Sequence, residues 1–205
     1  MKRLGYMMIW LASGLAACAE GTSAPPAVAV MSGEVASLLS SGRTCLMDGK
    51  MPEAQALFEK VRKLDPANNE AAFGLSAACI ELKRYEEALP ILEKLNQDVP
   101  DNPRVKNNLA WTLLKVKDPA AENAGRAIKL ARSALLDSPS DYTIWNTLGE
   151  AYYAAGQFEK ALRTAQGAWR LSLMAGDTNS TSRELVARCR KAAGAASLEE
   201  EGPRR

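Results

Sequence analysis

Cys18 is a residue whose type and surroundings suit covalent chemistry. Its thiol follows the tripeptide LAA at the end of an uncharged, mostly apolar run over residues 4–17, and the chain starts MKR. A thiolate is a strong nucleophile, and small neighbouring side chains leave room for a modifying enzyme. A thiol in this setting is chemically able to accept a covalent modification.

The segment that precedes Cys18 is too short to cross a bilayer as a helix, which takes about 20 apolar residues. A basic start, an apolar stretch and small residues before the processing point are typical of a signal peptide. The box LAAC resembles that of bacterial lipoprotein signals, in which the cysteine receives a diacylglycerol and the preceding peptide is removed. This resemblance implies a signal peptide over residues 1–17, lipidation of Cys18 and attachment to a membrane through that lipid. A secretory signal cut elsewhere, for example after Ala24, is the alternative and would release a soluble periplasmic or secreted protein.

The residues that follow Cys18 bear on location. Ala19 stands where an aspartate would signal inner-membrane retention in enterobacteria, so the resemblance implies the bacterial cell envelope, at the outer membrane facing the periplasm. The stretch 19–33, AEGTSAPPAVAVMSG, has no amphipathic period and contains glycine, serine and Pro-Pro. With Cys18 and residue 34, it is predicted to be a flexible tether over 18–34.

Other kinds of chemistry find little support in the sequence. The chain has no histidine, which is the commonest general base and zinc ligand, and it has neither a glycine-rich phosphate loop nor a serine elbow. Without Lys2 and Arg3, its 26 basic residues fall to 24, which balance 24 acidic residues. A neutral chain lacks the basic surface that nucleic acid requires. We expect no enzyme activity, no cofactor or metal, no small-molecule substrate and no nucleic acid.

The body of the chain is repetitive. Four stretches can be stacked, and the first two end at Pro66 and Pro100, 34 residues apart. The third ends at Pro139 and is five residues longer. Apolar residues recur at helical spacing within the stretches, for example at Leu92 and Leu95. A single helix pair cannot bury its apolar face alone, whereas three or more stacked pairs can.

This period and its residue types resemble the tetratricopeptide repeat, a helix-turn-helix unit. The fourth stretch has the fullest set of matching residues, which are Trp145, Leu148, Gly149, Tyr152, Phe158, Ala161 and Ala168. The resemblance implies an all-α fold, a right-handed α-solenoid of four helix pairs over 35–175 with a C-terminal capping helix. The pairs would cover 35–68, 69–102, 103–141 and 142–175, with the capping helix at 176–196 and a disordered tail at 197–205.

Glycines and one insertion refine this prediction. Gly49 and Gly156 follow a first helix and suit a left-handed C-terminal cap. Gly42 and Gly149 are small where the two helices of a pair would cross closely. In the third unit, KVKDPAAENAG places five extra residues between the helices, and the sequence leaves open whether they form a loop or lengthen the second helix.

The resemblance also implies a concave groove, lined by the first helix of each pair, that binds a protein or peptide segment. Trp111 and Tyr153 offer rigid aromatic area of the kind that anchors interfaces, or they pack between neighbouring units. Asn107 and Asn146 have donors and acceptors suited to a partner's backbone, or they belong to a solvated face. The full set of predicted groove residues is Arg43, Phe73, Ile80, Arg104, Asn107, Trp111, Lys115, Asn146, Glu150 and Tyr153.

The sequence therefore predicts a non-catalytic, lipid-anchored interaction scaffold, and its layout resembles lipoproteins that assist pilus or secretion-complex assembly. Three further cysteines bear on the redox chemistry of such a compartment. Cys45 and Cys79 occupy equivalent positions in successive units, where stacked helices would hold them about 9–10 Å apart. A disulfide needs Cα atoms within about 7 Å, so we expect buried free thiols. Cys189 has no role that the sequence explains.

Overall fold

A computed structural model describes residues 26–117, 121–177 and 181–200, so Cys18 and the predicted signal peptide lie outside the described residues. Within these ranges the chain forms nine α-helices and no strand. The all-helical prediction is confirmed. The helices are α1 (Pro26–Met47), α2 (Met51–Leu64), α3 (Asn69–Glu81), α4 (Tyr85–Asp98), α5 (Pro103–Lys115), α6 (Ala121–Asp137), α7 (Tyr142–Ala154), α8 (Phe158–Met174) and α9 (Thr181–Glu200).

The chain divides into two compact units, Met1–Ala78 and Cys79–Arg205, and α3 crosses the boundary. In the first unit α1 packs against α2. In the second unit α5 packs against α6, α7 against α8, and α9 against both α8 and α7. Each of these contacts joins helices that are close in sequence, as expected for repeats that stack on their neighbours.

The first helix begins earlier than the sequence suggested. α1 is 22 residues long and starts at Pro26, so residues 26–34 are helical where a flexible tether was predicted. Proline suits the first turn of a helix because the amide that it lacks would have no intrahelical partner there. The sequence did not predict a helix over residues 26–34 because this stretch has almost no amphipathic period.

The last helix extends further than predicted. α9 ends at Glu200, so residues 197–200 are helical and not part of a disordered tail. The sequence SLEE contains leucine and glutamate, which favour helix. After Gly194, no glycine or proline occurs before residue 202. Residues 201–205 of the predicted tail lie outside the described part of the chain.

The insertion in the third unit both widens the connection and lengthens the second helix. Five residues separate α5 from α6, whereas three separate α3 from α4 and α7 from α8. α6 has 17 residues and α4 has 14. Of the five extra residues, two thus lengthen the connection and three lengthen the second helix.

Left-handed turns end the first helices, as predicted for two of them. Gly49 has φ of 75° and Gly156 has φ of 71°. After Gly156, the amide of Gln157 donates to the Tyr152 carbonyl at 2.9 Å, and the same pattern closes the turns at residues 49 and 83. Lys83, however, adopts φ of 60° at the equivalent position of the second pair. The turn therefore forms even where a side chain makes this conformation costly.

Small residues let paired helices approach closely. The second helix of every pair has alanine at the same position, and each of these residues is fully buried: Ala54, Ala88, Ala127 and Ala161. In the first unit Phe58 is fully buried with Gly42 of α1 and Gly74 of α3 against its ring. A Cβ atom on Gly42 would stand 2.8 Å from that ring, so no larger residue fits without displacement. The expectation that Gly42 marks a close helix crossing is confirmed.

Gly74→Ala should lower the free energy of unfolding by about 1–3 kcal/mol, because the new methyl group overlaps the Phe58 ring. Urea unfolding followed by circular dichroism measures the change. Gly33→Ala is the matched control, since Gly33 lies in α1 with open space around it and alanine there should stabilise the helix by about 0.5–1 kcal/mol. Equal effects of the two substitutions would contradict this packing.

Candidate functional site

Two neighbouring first helices of the second unit bring together seven of the ten predicted groove residues. α5 contacts α7, and on each helix these residues recur three or four positions apart, which places them along one side. We call this surface the α5–α7 face. It consists of Arg104, Asn107, Trp111 and Lys115 from α5 and Asn146, Glu150 and Tyr153 from α7.

Asn107 and Asn146 occupy equivalent positions on the face. Their side chains are nearly buried, with exposed fractions of 8% and 3%. The Oδ1 atom of each has no hydrogen-bond partner among the described residues. A buried, unpaired carbonyl costs about 1–3 kcal/mol, and here the same cost recurs in two successive repeats. Asn107 and Asn146 thus share both an equivalent position in the repeat and an unpaired side-chain oxygen.

Trp111 and two cationic side chains lie along the same side of α5. Lys115 Nζ lies 4.2 Å from the centroid of the Trp111 ring, a distance typical of a cation–π contact. Trp111 is half-buried and Arg104 is exposed. Among the described side chains no carboxylate pairs with Arg104 or Lys115. The α5 side of the face therefore combines a rigid aromatic surface with two available positive charges.

The other end of the face is covered by the last helix. Arg188 of α9 donates two hydrogen bonds to the Glu150 carboxylate, at 2.8 and 3.1 Å. The Arg188 guanidinium also lies 4.7 Å from the Tyr153 ring centroid, and Tyr153 packs edge-on against Phe158 at 5.4 Å. The hydrogen bond to Glu150 raises the pKa of Arg188, so this guanidinium stays charged. Glu150 and Tyr153 thus have partners within the chain.

Sequence reasoning did not identify Arg188 as part of this arrangement. The available signal was an arginine-rich last helix predicted to cover the final repeat. Contact between α9 and α7, however, depends on the angle at which α9 packs against α8, which spacing along the chain does not specify.

The remaining predicted groove residues lie outside the face. Arg43 forms an ion pair with Glu70 inside the first unit. Phe73, also in the first unit, is 8% exposed, and Ile80 in the second unit is 6% exposed. Little of either apolar side chain is available to a partner.

The cysteines in the described part of the chain form no disulfide, as expected for Cys45 and Cys79. Cys79 is buried, whereas Cys45, also expected to be buried, lies near the end of α1 and is only half-buried. Cys189 is fully buried in a cluster with Ala161, Ala165 and other apolar residues of α8 and α9. Burial raises the pKa of the Cys189 thiol to about 11. Cys189 therefore packs between α8 and α9, a role that the sequence did not indicate.

Thiol accessibility should separate these cysteines. In a Cys18→Ser protein we expect iodoacetamide to modify Cys45 at least about tenfold faster than Cys79 or Cys189, because only Cys45 reaches solvent and the Cys189 thiol stays protonated. Peptide mass spectrometry over a time course measures the rates, and denatured protein provides the control. Modification of Cys189 as fast as Cys45 in the native protein would contradict the packing of α9.

No group of three or more cysteine, aspartate or glutamate residues in the described part of the chain is arranged to hold a metal ion. None of its helices combines the length and apolar character that a membrane span requires.

Several solved structures have a fold similar to that of this chain. The chain is similar to MamA MSR-1, at 22% identity with a TM-score of 0.62, covering 82% of this chain and 91% of that one. It is similar to MamA from Desulfovibrio magneticus RS-1, at 18% identity with a TM-score of 0.57, covering 79% and 96%. A thermophilic tetratricopeptide-repeat protein from Thermus thermophilus matches at 18% identity with a TM-score of 0.58, covering 78% and 92%. At these identities the likeness shows the fold alone.

Sequence relatives are much longer than this chain. Superkiller protein 3 of Schizosaccharomyces pombe is 32% identical over 115 residues, which cover 55% of this chain and 8% of that protein. RNA polymerase-associated protein CTR9 of Saccharomyces cerevisiae is 35% identical over 119 residues, which cover 57% of this chain and 10% of that protein. The chain therefore spans about a tenth or less of either relative.

A family model of the tetratricopeptide repeat matches residues 46–116 and 120–170, which is more than half of the chain. These segments include α2 to α7 and most of α8. The chain belongs to the tetratricopeptide-repeat family.

Proposed function

We propose that this protein is a non-catalytic scaffold whose α5–α7 face binds an extended peptide segment of a partner protein. Tetratricopeptide-repeat proteins are in general protein-interaction scaffolds, and the family model that matches the chain is that of this repeat. The observation that carries the proposal is the pair of unpaired, buried carboxamide oxygens on Asn107 and Asn146. An extended peptide backbone supplies the donors that both residues lack.

The spacing of the two asparagines suits an extended chain. Packed helices lie about 8–10 Å apart, and an extended peptide advances about 3.3 Å per residue. About three peptide residues therefore separate the points of contact on α5 and α7. The last torsion of an asparagine side chain is broad, so each carboxamide can turn toward a backbone group as the peptide docks.

The neighbouring side chains define where the peptide lies. Trp111 offers a half-buried ring that an apolar peptide side chain can cover. Arg188 covers Glu150 and Tyr153, so the contact with α7 centres on its first half, near Asn146. Tyr153 therefore borders the proposed site and contributes less contact area than Trp111.

Removal of both carboxamides tests the site. A peptide selected by display on the immobilised protein should bind Asn107→Ala/Asn146→Ala about 30-fold more weakly, because two hydrogen bonds of about 1 kcal/mol each are lost. Fluorescence polarisation with the labelled peptide gives Kd. Gln166→Ala, at an exposed position of α8, is the control and should leave Kd unchanged.

The same variants distinguish a binding role from a structural one. Because neither Oδ1 atom has a partner in the described chain, the double variant should unfold at the same or higher urea concentration than the parent. Unchanged peptide affinity, or a marked loss of stability, would argue against the proposal.

We also propose that a lipid on Cys18 holds the scaffold in the bacterial cell envelope, at the outer membrane facing the periplasm. The box LAAC after a basic start and a short apolar run supports this proposal. Two or three acyl chains bind a membrane stably, whereas one binds marginally. Assembly of a pilus or secretion complex is the pathway that the resemblance to lipoproteins favours. A soluble periplasmic or secreted adaptor with the same repeats is the alternative.

Cys18→Ser tests the anchor in bacterial cells. The parent protein should incorporate labelled palmitate and sediment with membranes, and the variant should do neither, because the acceptor thiol is gone. Cys45→Ser is the matched control, since it removes a thiol from the repeats and should retain label and location. Membrane sedimentation of the Cys18→Ser protein, together with an unlabelled parent, would contradict lipidation of Cys18. An unlabelled parent that stays in the soluble fraction would favour the soluble alternative.

A further inference from the structure

A cleft between α8 and α9 lies apart from the α5–α7 face and has no role in the proposed function. Its volume is about 480 Å³, and it is lined by Glu159, Leu162 and Arg163 of α8 and by Arg190, Ala193 and Gly194 of α9. The two helices pack against each other directly. Each wall of the cleft thus contributes one guanidinium group.

We infer that this cleft binds a phosphate group, with Arg163 and Arg190 as its ligands. Guanidinium groups present paired N–H donors that match the oxygens of phosphate. Within the described part of the chain, neither arginine donates a hydrogen bond or forms an ion pair. Arg126 and Arg188, in contrast, each pair with a glutamate across helices. The guanidinium groups of Arg163 and Arg190 therefore line the cleft with their donors unused by the described residues.

The charge around the cleft favours an anion. The lining of the cleft holds the guanidinium groups of Arg163 and Arg190 and one carboxylate, which leaves a net formal charge of +1. Glu159 is the acidic member of the lining and opposes anion binding. Its presence gives the site a built-in test, because its neutralisation should strengthen binding while loss of either arginine weakens it.

The apolar lining narrows the ligand class. Leu162 and Ala193 lie beside the arginines, and Gly194 has open space where a side chain would stand. A phosphate that carries an apolar or organic part fits such a lining better than a bare inorganic ion does. A free phosphate ester and a phospholipid headgroup share this chemistry, and the experiment below separates them.

The experiment uses the full-length Cys18→Ser protein, so that no lipid on the chain itself contributes. One arm measures binding of phenyl phosphate by isothermal titration calorimetry. The second measures flotation with vesicles of phosphatidylcholine containing phosphatidylglycerol, against vesicles of phosphatidylcholine alone. Arg163→Gln/Arg190→Gln should weaken binding about tenfold or more, and Glu159→Gln should strengthen it.

Arg170→Gln/Arg183→Gln is the matched control, because it removes the same charge from exposed positions on α8 and α9 outside the cleft. Binding of phenyl phosphate that depends on Arg163 and Arg190 supports a site for free phosphate esters. Flotation alone, with the same dependence, supports a headgroup site. No binding in either arm, or an equal loss in the control pair, would overturn the inference.

Discussion

Paired helices approach each other closely at small buried residues, and these contacts set the geometry of every repeat. Alanine lies fully buried at the same position of all four second helices. In the first unit, two glycines leave just enough space for the Phe58 ring. Because close-packed interiors tolerate few added atoms, the spacing and angle of each pair are fixed at these contacts. The side chains that point away from them are then free to vary, and there the repeats differ most.

The second unit shows how this constraint shapes a surface. Ala110 in α5 and Gly149 in α7 occupy equivalent positions, and both residues are small. The next position of each helix holds Trp111 and Glu150, which belong to the α5–α7 face. The last repeat has no following repeat to pack on, and α9 takes that place. A Cβ atom on Gly149 would stand 3.0 Å from the side chain of Leu185 in α9. The small residue at this position therefore also allows α9 to pack closely. This packing brings Arg188 of α9 to Glu150.

The sequence predicted the features that depend on local chemistry. The repeat period, the helical class and the left-handed turns at Gly49 and Gly156 all follow from residue types at fixed spacing. Prediction was weaker where local signals are faint or overridden. α1 starts in an alanine- and valine-rich stretch without a period, and Lys83 forms a left-handed turn that only its neighbours impose. Of the candidate site, seven residues predicted from the sequence share the α5–α7 face, whereas the burial of Phe73 and Ile80 was not predicted.

The tetratricopeptide-repeat fold could be predicted from the sequence, because helix periodicity, small crossing residues and turn glycines are properties of short segments. Which polar groups have partners depends instead on how the helices pack. Glu150 is paired because α9 packs at an angle that brings Arg188 to it, and the amide oxygens of Asn107 and Asn146 are unpaired because no described side chain reaches them. Whether a buried polar group is satisfied depends on atoms distant along the chain, and only packing brings those atoms together or keeps them apart.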